Sequence, residues 1–419
     1  MDKRLRRDVA WNLVPIALLA AVGLGMNFAI ALWWGAGALG VFNLVTIAYF
    51  VFAVLGACGL QYSVLRAVAE QPDDRAHVSA VVVGALVPNL ALAALAALAF
   101  VSLRGVAAQI AGSDAVAEGM LWAAPGLFCF AVNKVLFGVV NGLRRMRAFA
   151  IYTSLRYGLL GTGLLLARAT HVQGDHLAVI WTFSEGTLLL ILVGELLATV
   201  TIARARNWWR WTRVHMHYGT RGVTATLAYE INTKLDVWML GAAGFSTAQV
   251  GIYSLAAALN DGATQLSVVV QNNVNPLIAK SLADGKSTEV DELVRRTRKW
   301  FVPALAGACV LGALLFPHVI PQLVGSEEFA AGALPFAILM AGLTLASPWL
   351  PFSQLMLMAD RPGWHTVLMV LTVATNFVAN VALIPRFGLA GAAASTSIAV
   401  IASALFVRRL ARGRVGVRL

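Results

Sequence analysis

Apolar stretches long enough to cross a bilayer follow one another along almost the whole chain, broken by short polar, glycine- or proline-bearing interruptions. A helix needs about 20 mostly apolar residues to cover a hydrocarbon core of roughly 30 Å, and inside lipid the backbone must satisfy its own hydrogen bonds. Cutting the chain where charge or turn residues interrupt such runs predicts twelve transmembrane helices. They cover residues 10–33, 41–65, 77–102, 120–141, 148–168, 178–203, 219–243, 248–277, 300–320, 331–357, 363–385 and 388–408. The fold class expected is an all-α integral membrane protein.

Composition agrees with the pattern. Of 419 residues, 59% are hydrophobic and only 12% charged, and the mean hydropathy of +0.76 lies outside the range of soluble globular chains. A net charge of +12 would suit a nucleic-acid binder, so the location of the cations decides the matter. They alternate with the segments. One side receives Lys3, Arg4, Arg6 and Arg7, then Arg66 and Arg75, Arg144, Arg145 and Arg147, and Arg204, Arg206, Arg210, Arg213 and Arg221. The same side takes Lys280, Lys286, Arg295, Arg296, Arg298 and Lys299, Arg361, and Arg408 through Arg418, whereas the other holds only Arg104, Arg168 and Arg386. Positive residues near span ends stay cytoplasmic, so both termini are expected in the cytoplasm of a cell with a bacterial inner membrane. The basic excess then reads as orientation and lipid attraction, with Trp208, Trp209 and Trp211 as an interfacial belt and no nucleic-acid partner. The basic start resembles a signal peptide, but no exported soluble domain follows it, and it reads as an uncleaved first helix. Cys58, Cys129 and Cys309 sit inside apolar runs without CxxC spacing and read as small core residues.

The most polar internal connection, Arg204 to Arg221, divides the chain into two halves of six spans: residues 1–205, a cytoplasmic linker at 206–218, and residues 219–419. Because six is even, both halves enter from the same side, and the repeat is parallel. Two short matches support it. Gly40-Val41-Phe42-Asn43-Leu44 corresponds to Gly251-Ile252-Tyr253-Ser254-Leu255, and the turn Asn141-Gly142-Leu143-Arg144-Arg145 to Met358-Ala359-Asp360-Arg361-Pro362-Gly363.

Several motifs lead nowhere. Gly35, Gly37 and Gly40 satisfy GxGxxG without a βαβ unit around them. His171, Asp175 and His176 lie in a short turn, and neither a metal nor a cofactor is implied. The outer loops are too short for the soluble lobe of a glycosyltransferase or polymerase, and no nucleophile, histidine and acid arrangement is visible. An enzyme is not the expected reading.

What remains are ionisable residues inside spans: Lys134, Arg156, Glu185, Glu195, Glu230, Lys234, Asp236 and Asp261. A central Arg, Lys or Asp costs roughly 2.5 to 3.5 kcal/mol in lipid, so all of them facing acyl chains would cost on the order of 20 kcal/mol, above typical net stability. They must face a protein interior or a hydrated passage. Glu230 and Lys234, at i and i+4, share a helix face and can pair, and with Asp236 and Asp261 they suit ion coupling or cavity electrostatics. Arg156 and Lys134 have no acid within one turn of their own helices. Each needs a counter-ion from elsewhere, for which Glu185 and Glu195 are the candidates, or an anionic ligand such as a diphosphate, which guanidinium holds bidentately.

Several blocks carry a family resemblance: Gly40-Val41-Phe42, Lys234 through Gly241 leading to Val250-Gly251-Ile252-Tyr253, Asn275-Pro276-Leu277-Ile278, Thr375 through Asn380, Leu383 through Gly388, and Gly391-Ala392-Ala393. End to end, the chain resembles the Wzx-like oligosaccharide and polysaccharide flippases of the multidrug/oligosaccharidyl-lipid/polysaccharide (MOP) exporter superfamily. That resemblance implies a V-shaped pair of six-helix bundles around a central, often cationic cavity. It also implies transfer of an undecaprenyl-pyrophosphate-linked glycan to the periplasmic leaflet by alternating access, with the cavity cations matched by Arg156 and Lys134 and the seventh-span aspartate by Asp236. Coupling to H+ or Na+ and association with polysaccharide assembly machinery are implied with it. The chain lacks the two extra C-terminal spans of the fourteen-helix peptidoglycan-precursor flippases. A cation-coupled drug or metabolite antiporter of the same superfamily is the main alternative, and a membrane polymerase or glycosyltransferase a further one.

Overall fold

The structure is a computed structural model. It describes the backbone of residues 3–199, 205, 207–417 and 419, and the side chains of these except 3–20, 198, 199, 221, 222, 224, 225, 228, 229, 232, 233 and 362. The side chains of the basic start and of Arg204, Arg206, Arg221 and Arg418 therefore lie outside the described residues. Every long element is helical: α1 (Lys3–Ala57), α2 (Leu60–Glu70), α3 (Arg75–Ser102), α4 (Arg104–Ala111), α5 (Asp114–Gly142), α6 (Met146–Ala169), α7 (Val179–Thr199), α8 (Trp208–Thr233), α9 (Leu235–Ala242), α10 (Thr247–Ala283), α11 (Ser287–Val324), α12 (Ala333–Ala346), α13 (Leu355–Met358) and α14 (Pro362–Leu410). Two of these join neighbouring predicted spans. Gly35 (φ 84°) breaks α1 and Gly388 (φ 57°) breaks α14, each in a backbone region that only glycine enters without strain.

By length and composition, seven described helical stretches are apolar enough to cross a membrane. The helices α6, α8 and α10 fall short of that measure. They carry Arg156, Glu230 and Asp261, ionisable residues that lower their hydropathy.

The chain forms two compact units. The first comprises Met1–Trp34 with Val41–Thr233, and the second Gly35–Gly40 with Lys234–Leu419. In the first, α5 is the central post. Gly126, Gly138 and Gly142 let it approach α7 and α2 so closely that a β-carbon at Gly138 would lie 2.5 Å from the Gln61 carbonyl oxygen. The stretch 206–218, read from its charge as a linker, is helical from Trp208 onward and docked on α2 and α3. Thr212 donates to the Gly84 carbonyl (2.8 Å), and His215 bridges Ser63 Oγ (2.7 Å) and the Val81 carbonyl (3.1 Å). Trp209 is exposed as a belt residue would be, whereas Trp211 packs beside Gly84 and stacks on His215. His215 has no solvent exposure, and burial pulls its pKa from 6.5 down to about 4, so it sits neutral in this joint.

In the second unit, Gly40 and Gly251 pack backbone to backbone. A β-carbon on Gly251 would meet the Ala36 carbonyl oxygen at 2.0 Å, and one on Gly40 the Thr247 carbonyl oxygen at 1.8 Å. The two glycines of the first sequence match are thus each other's neighbours. The second match also has a structural counterpart. Arg144 and Asp360 both adopt positive φ, 58° and 55°, and the following amides, of Arg145 and Arg361, both reach back five residues to a helix carbonyl, Val140 and Met356. The same left-handed helix stop closes α5 and α13 although the residues differ.

Candidate functional site

In the first unit, ionisable residues gather where α5, α6 and α7 meet. Arg156 of α6 grips Glu185 of α7 with both arms, Nε to Oε1 at 2.7 Å and Nη2 to Oε2 at 2.8 Å. Glu185 is fully buried, and the Arg156 side chain is 15% exposed. Asn133 of α5 donates to the same carboxylate (2.9 Å) and to the Glu185 carbonyl (3.0 Å). A buried carboxylate is tolerated because its two oxygens accept from three donors and the guanidinium neutralises it. The guanidinium carbon lies 4.4 Å from the centroid of the Phe130 ring, and Lys134 Nζ lies 5.1 Å from that centroid, so one ring receives two cations. Phe130 belongs to an aromatic cluster with Tyr49, Phe50 and Trp181. Glu230 of α8 is half-buried, and its charge and that of Lys134 act on each other. Glu195 is not at this centre. Farther along α7 it pairs with Arg145 and accepts from the Tyr152 hydroxyl (3.1 Å).

The second unit holds a separate cluster. The α8–α9 junction breaks at Lys234, whose φ of −139° is not helical. Lys234 Nζ binds Asp261 Oδ2 of α10 at 2.7 Å, half exposed. Two residues on, Asp236 is buried. Its Oδ1 accepts from the Val237 amide (2.9 Å), and its Oδ2 accepts from the Tyr253 hydroxyl and from Thr396 Oγ1 (3.1 Å). Placing it in the first turn of α9 adds the helix dipole to these donors. Asp236, Tyr253 and Thr396 come from α9, α10 and α14, and this carboxylate is the polar point that ties the three together.

Sequence reasoning overlooked Asn133, Tyr253 and Thr396. Asn133 adjoins Lys134, and Tyr253 stands two residues after the packed Gly251, so both were adjacent to residues singled out. Thr396 left no signal, because a lone threonine in an apolar helix is ordinary.

An all-helical architecture with several long apolar helices and charged groups satisfied inside its helical units is that of a multi-pass membrane protein. The solved structures agree: a multidrug resistance MATE family transporter of the MOP superfamily, in its inward-facing conformation, matches 97% of this chain and 98% of that one, with a TM-score of 0.75 at 14% identity. The outward-facing conformation of a multidrug resistance MATE family transporter of the MOP superfamily matches 98% and 95%, with a TM-score of 0.58 at 13% identity.

Sequence adds relatives. The chain is 21% identical over 406 residues to the "Probable low-salt glycan biosynthesis flippase Agl15" of Haloferax volcanii, covering 93% of this chain and 81% of that protein. It is 26% identical over 404 residues to the "Probable flippase AglR" of the same organism, covering 90% and 77%. No family model matches it. The chain is an all-helical, multi-pass membrane protein with the fold of the MATE transporters of the MOP superfamily, and distantly similar in sequence to two archaeal proteins named as probable flippases.

Proposed function

We propose that this protein is a flippase that moves a polyprenyl-diphosphate-linked oligosaccharide across a bacterial inner membrane, with undecaprenyl pyrophosphate as the lipid carrier. The observation that carries the reading is homology spanning nine-tenths of the chain to two proteins named as flippases, one of them of glycan biosynthesis. Lys134 and the Arg156 guanidinium supply the positive charge that offsets the diphosphate. Glu185 takes up Nε and Nη2 of Arg156 and leaves its Nη1 without a hydrogen bond among the described residues. The glycan crosses through a hydrated passage while the lipid tail stays in the bilayer. Asp236 and the Lys234–Asp261 pair respond to a cation gradient, H+ or Na+, during alternating access, and both termini lie in the cytoplasm.

The test is translocation of a fluorescent lipid-linked oligosaccharide in reconstituted vesicles. Lys134→Gln is expected to lower the rate about tenfold, the worth of one charge-assisted hydrogen bond, in protein that elutes and melts as wild type. Unaltered translocation by Lys134→Gln combined with Arg156→Gln/Glu185→Gln would refute the charge-offset mechanism. Absence of translocation by the wild-type protein, with uptake of cationic dyes in its place, would refute the flippase reading in favour of an antiporter.

A further inference from the structure

Along the first half of α11, beside Pro348, the second unit carries a groove of about 480 Å³. Arg295, Arg298 and Lys299 edge it, Val302, Pro303 and Pro348 give it an apolar wall, and Asp291 also lines it. Arg298 donates Nε to the Pro348 carbonyl (2.7 Å) and lies over the Trp349 ring, 5.4 Å from its centroid. Arg408, from the end of α14, approaches the same ring at 5.6 Å. Two cations therefore share one indole and repel each other.

Both Arg298 Nη2 and the Trp349 indole nitrogen are buried without a hydrogen-bond acceptor. Arg295 is tied to Glu292, but Arg298, Lys299 and Arg408 form no ion pair among the described residues. A buried donor without an acceptor is destabilising, and like charges held against one ring add to that. The repulsion is relieved by a single anion with several acceptor oxygens. Arginines that only orient a membrane protein need none of this: Arg409 and Arg412 are simply exposed. Beside the groove Trp300 is exposed as an interfacial residue, and farther along α11 Val310, Leu311 and Leu314 are exposed and apolar.

We infer that this groove binds the phosphate headgroup of an anionic membrane lipid, between Arg298, Lys299 and Arg408. The lipid's acyl chains run along the apolar wall and the exposed aliphatic side of α11. Phosphate oxygens accept from the guanidiniums, and basic pockets at the cytoplasmic ends of membrane helices recognise headgroups in this way. The site is distinct from the Arg156 centre and requires no assumption about the transported substrate.

The experiment uses the purified full-length protein, delipidated in detergent and titrated with dioleoyl phosphatidylglycerol by native mass spectrometry. The parallel probes are dioleoyl phosphatidylcholine and inorganic phosphate. One phosphatidylglycerol is expected to be retained, and phosphatidylcholine not. Affinity should drop about tenfold in Arg298→Gln/Arg408→Gln and by a smaller factor in Lys299→Gln, whose exposed side chain can be removed without disturbing the fold. Arg412→Gln should match wild type. Equal retention of phosphatidylglycerol by wild type, Lys299→Gln and the double variant would overturn the assignment. Competition by inorganic phosphate at the lipid's own concentration would overturn the lipid as the source of the anion.

Discussion

Replacing Arg156 by glutamine removes two charged hydrogen bonds and leaves the Glu185 carboxylate, fully buried, with only the Asn133 amide as a side-chain donor. Stripping one partner from a buried ion pair costs about 3–5 kcal/mol, because the remaining charge has been taken out of water without compensation. Net stabilities of about 5–15 kcal/mol make that a large fraction of the total. Arg156→Gln should therefore reach the membrane in reduced amount and unfold at markedly lower denaturant. Adding Glu185→Gln removes the stranded charge, since an amide at 185 can still accept from Asn133 and face an amide at 156. The double variant should recover to within about 1 kcal/mol of wild type, so the coupling is at least about 2 kcal/mol before any loss from Glu185→Gln alone is added to it. The assay is a double-mutant cycle by equilibrium unfolding in mixed micelles, with monomer yield on size exclusion as a second measure. Additive single-variant losses, with a coupling below about 0.5 kcal/mol, would show that the geometry drawn for this pair is not the one that holds the bundle. The same double variant should remain slow in translocation, because stability returns and the guanidinium does not.

Other consequences are simpler to test. Gly251→Ala forces a methyl against the Ala36 carbonyl and should cost at least about 1–3 kcal/mol, whereas Gly262→Ala, in open space on the same helix, should be neutral or slightly stabilising in thermal melts. His215 titrates near 4 in the folded chain and near 6.5 when exposed, so the unfolded chain takes up the proton first. Stability should be intact above pH 6.5 and fall by about 3 kcal/mol as the pH drops from 6.5 to 4. Melting temperatures of His215→Phe that keep the wild-type slope over that window would contradict this. Tyr253→Phe deprives the buried Asp236 carboxylate of a hydroxyl donor and should destabilise by about 1.5–3 kcal/mol in chemical unfolding, with Thr396→Val additive or worse.

The long apolar helices could be read from sequence because lipid imposes one requirement on them, length in apolar residues. The ionisable residues stood out for the same reason. Their partners did not, because pairing depends on depth and register, which hydropathy does not encode. Glu185 and Glu195 looked equivalent as counter-ions for Arg156, yet about ten residues separate them, roughly 15 Å along a helix. The antiparallel register of α6 and α7 resolves the choice: Arg156 meets Glu185, and Arg145, at the start of α6, meets Glu195. Helical spacing let Lys234 pair with Glu230, and it gave no sign of the bond to Asp261, 27 residues on in α10. The helix that docks through Thr212 and His215 read as a linker, since three tryptophans among arginines suggest a membrane surface more readily than a joint.

The spacing of Arg156 and Glu185, 29 residues apart, also bears on how the chain enters the membrane. At synthesis rates of about 5–20 residues per second, the arginine emerges roughly 1.5–6 s before its carboxylate exists. During that interval α6 has little hydrophobic drive of its own and carries an unneutralised cation. Its insertion must wait at the translocon or lean on the already inserted α5, until α7 arrives and the hairpin enters as one piece.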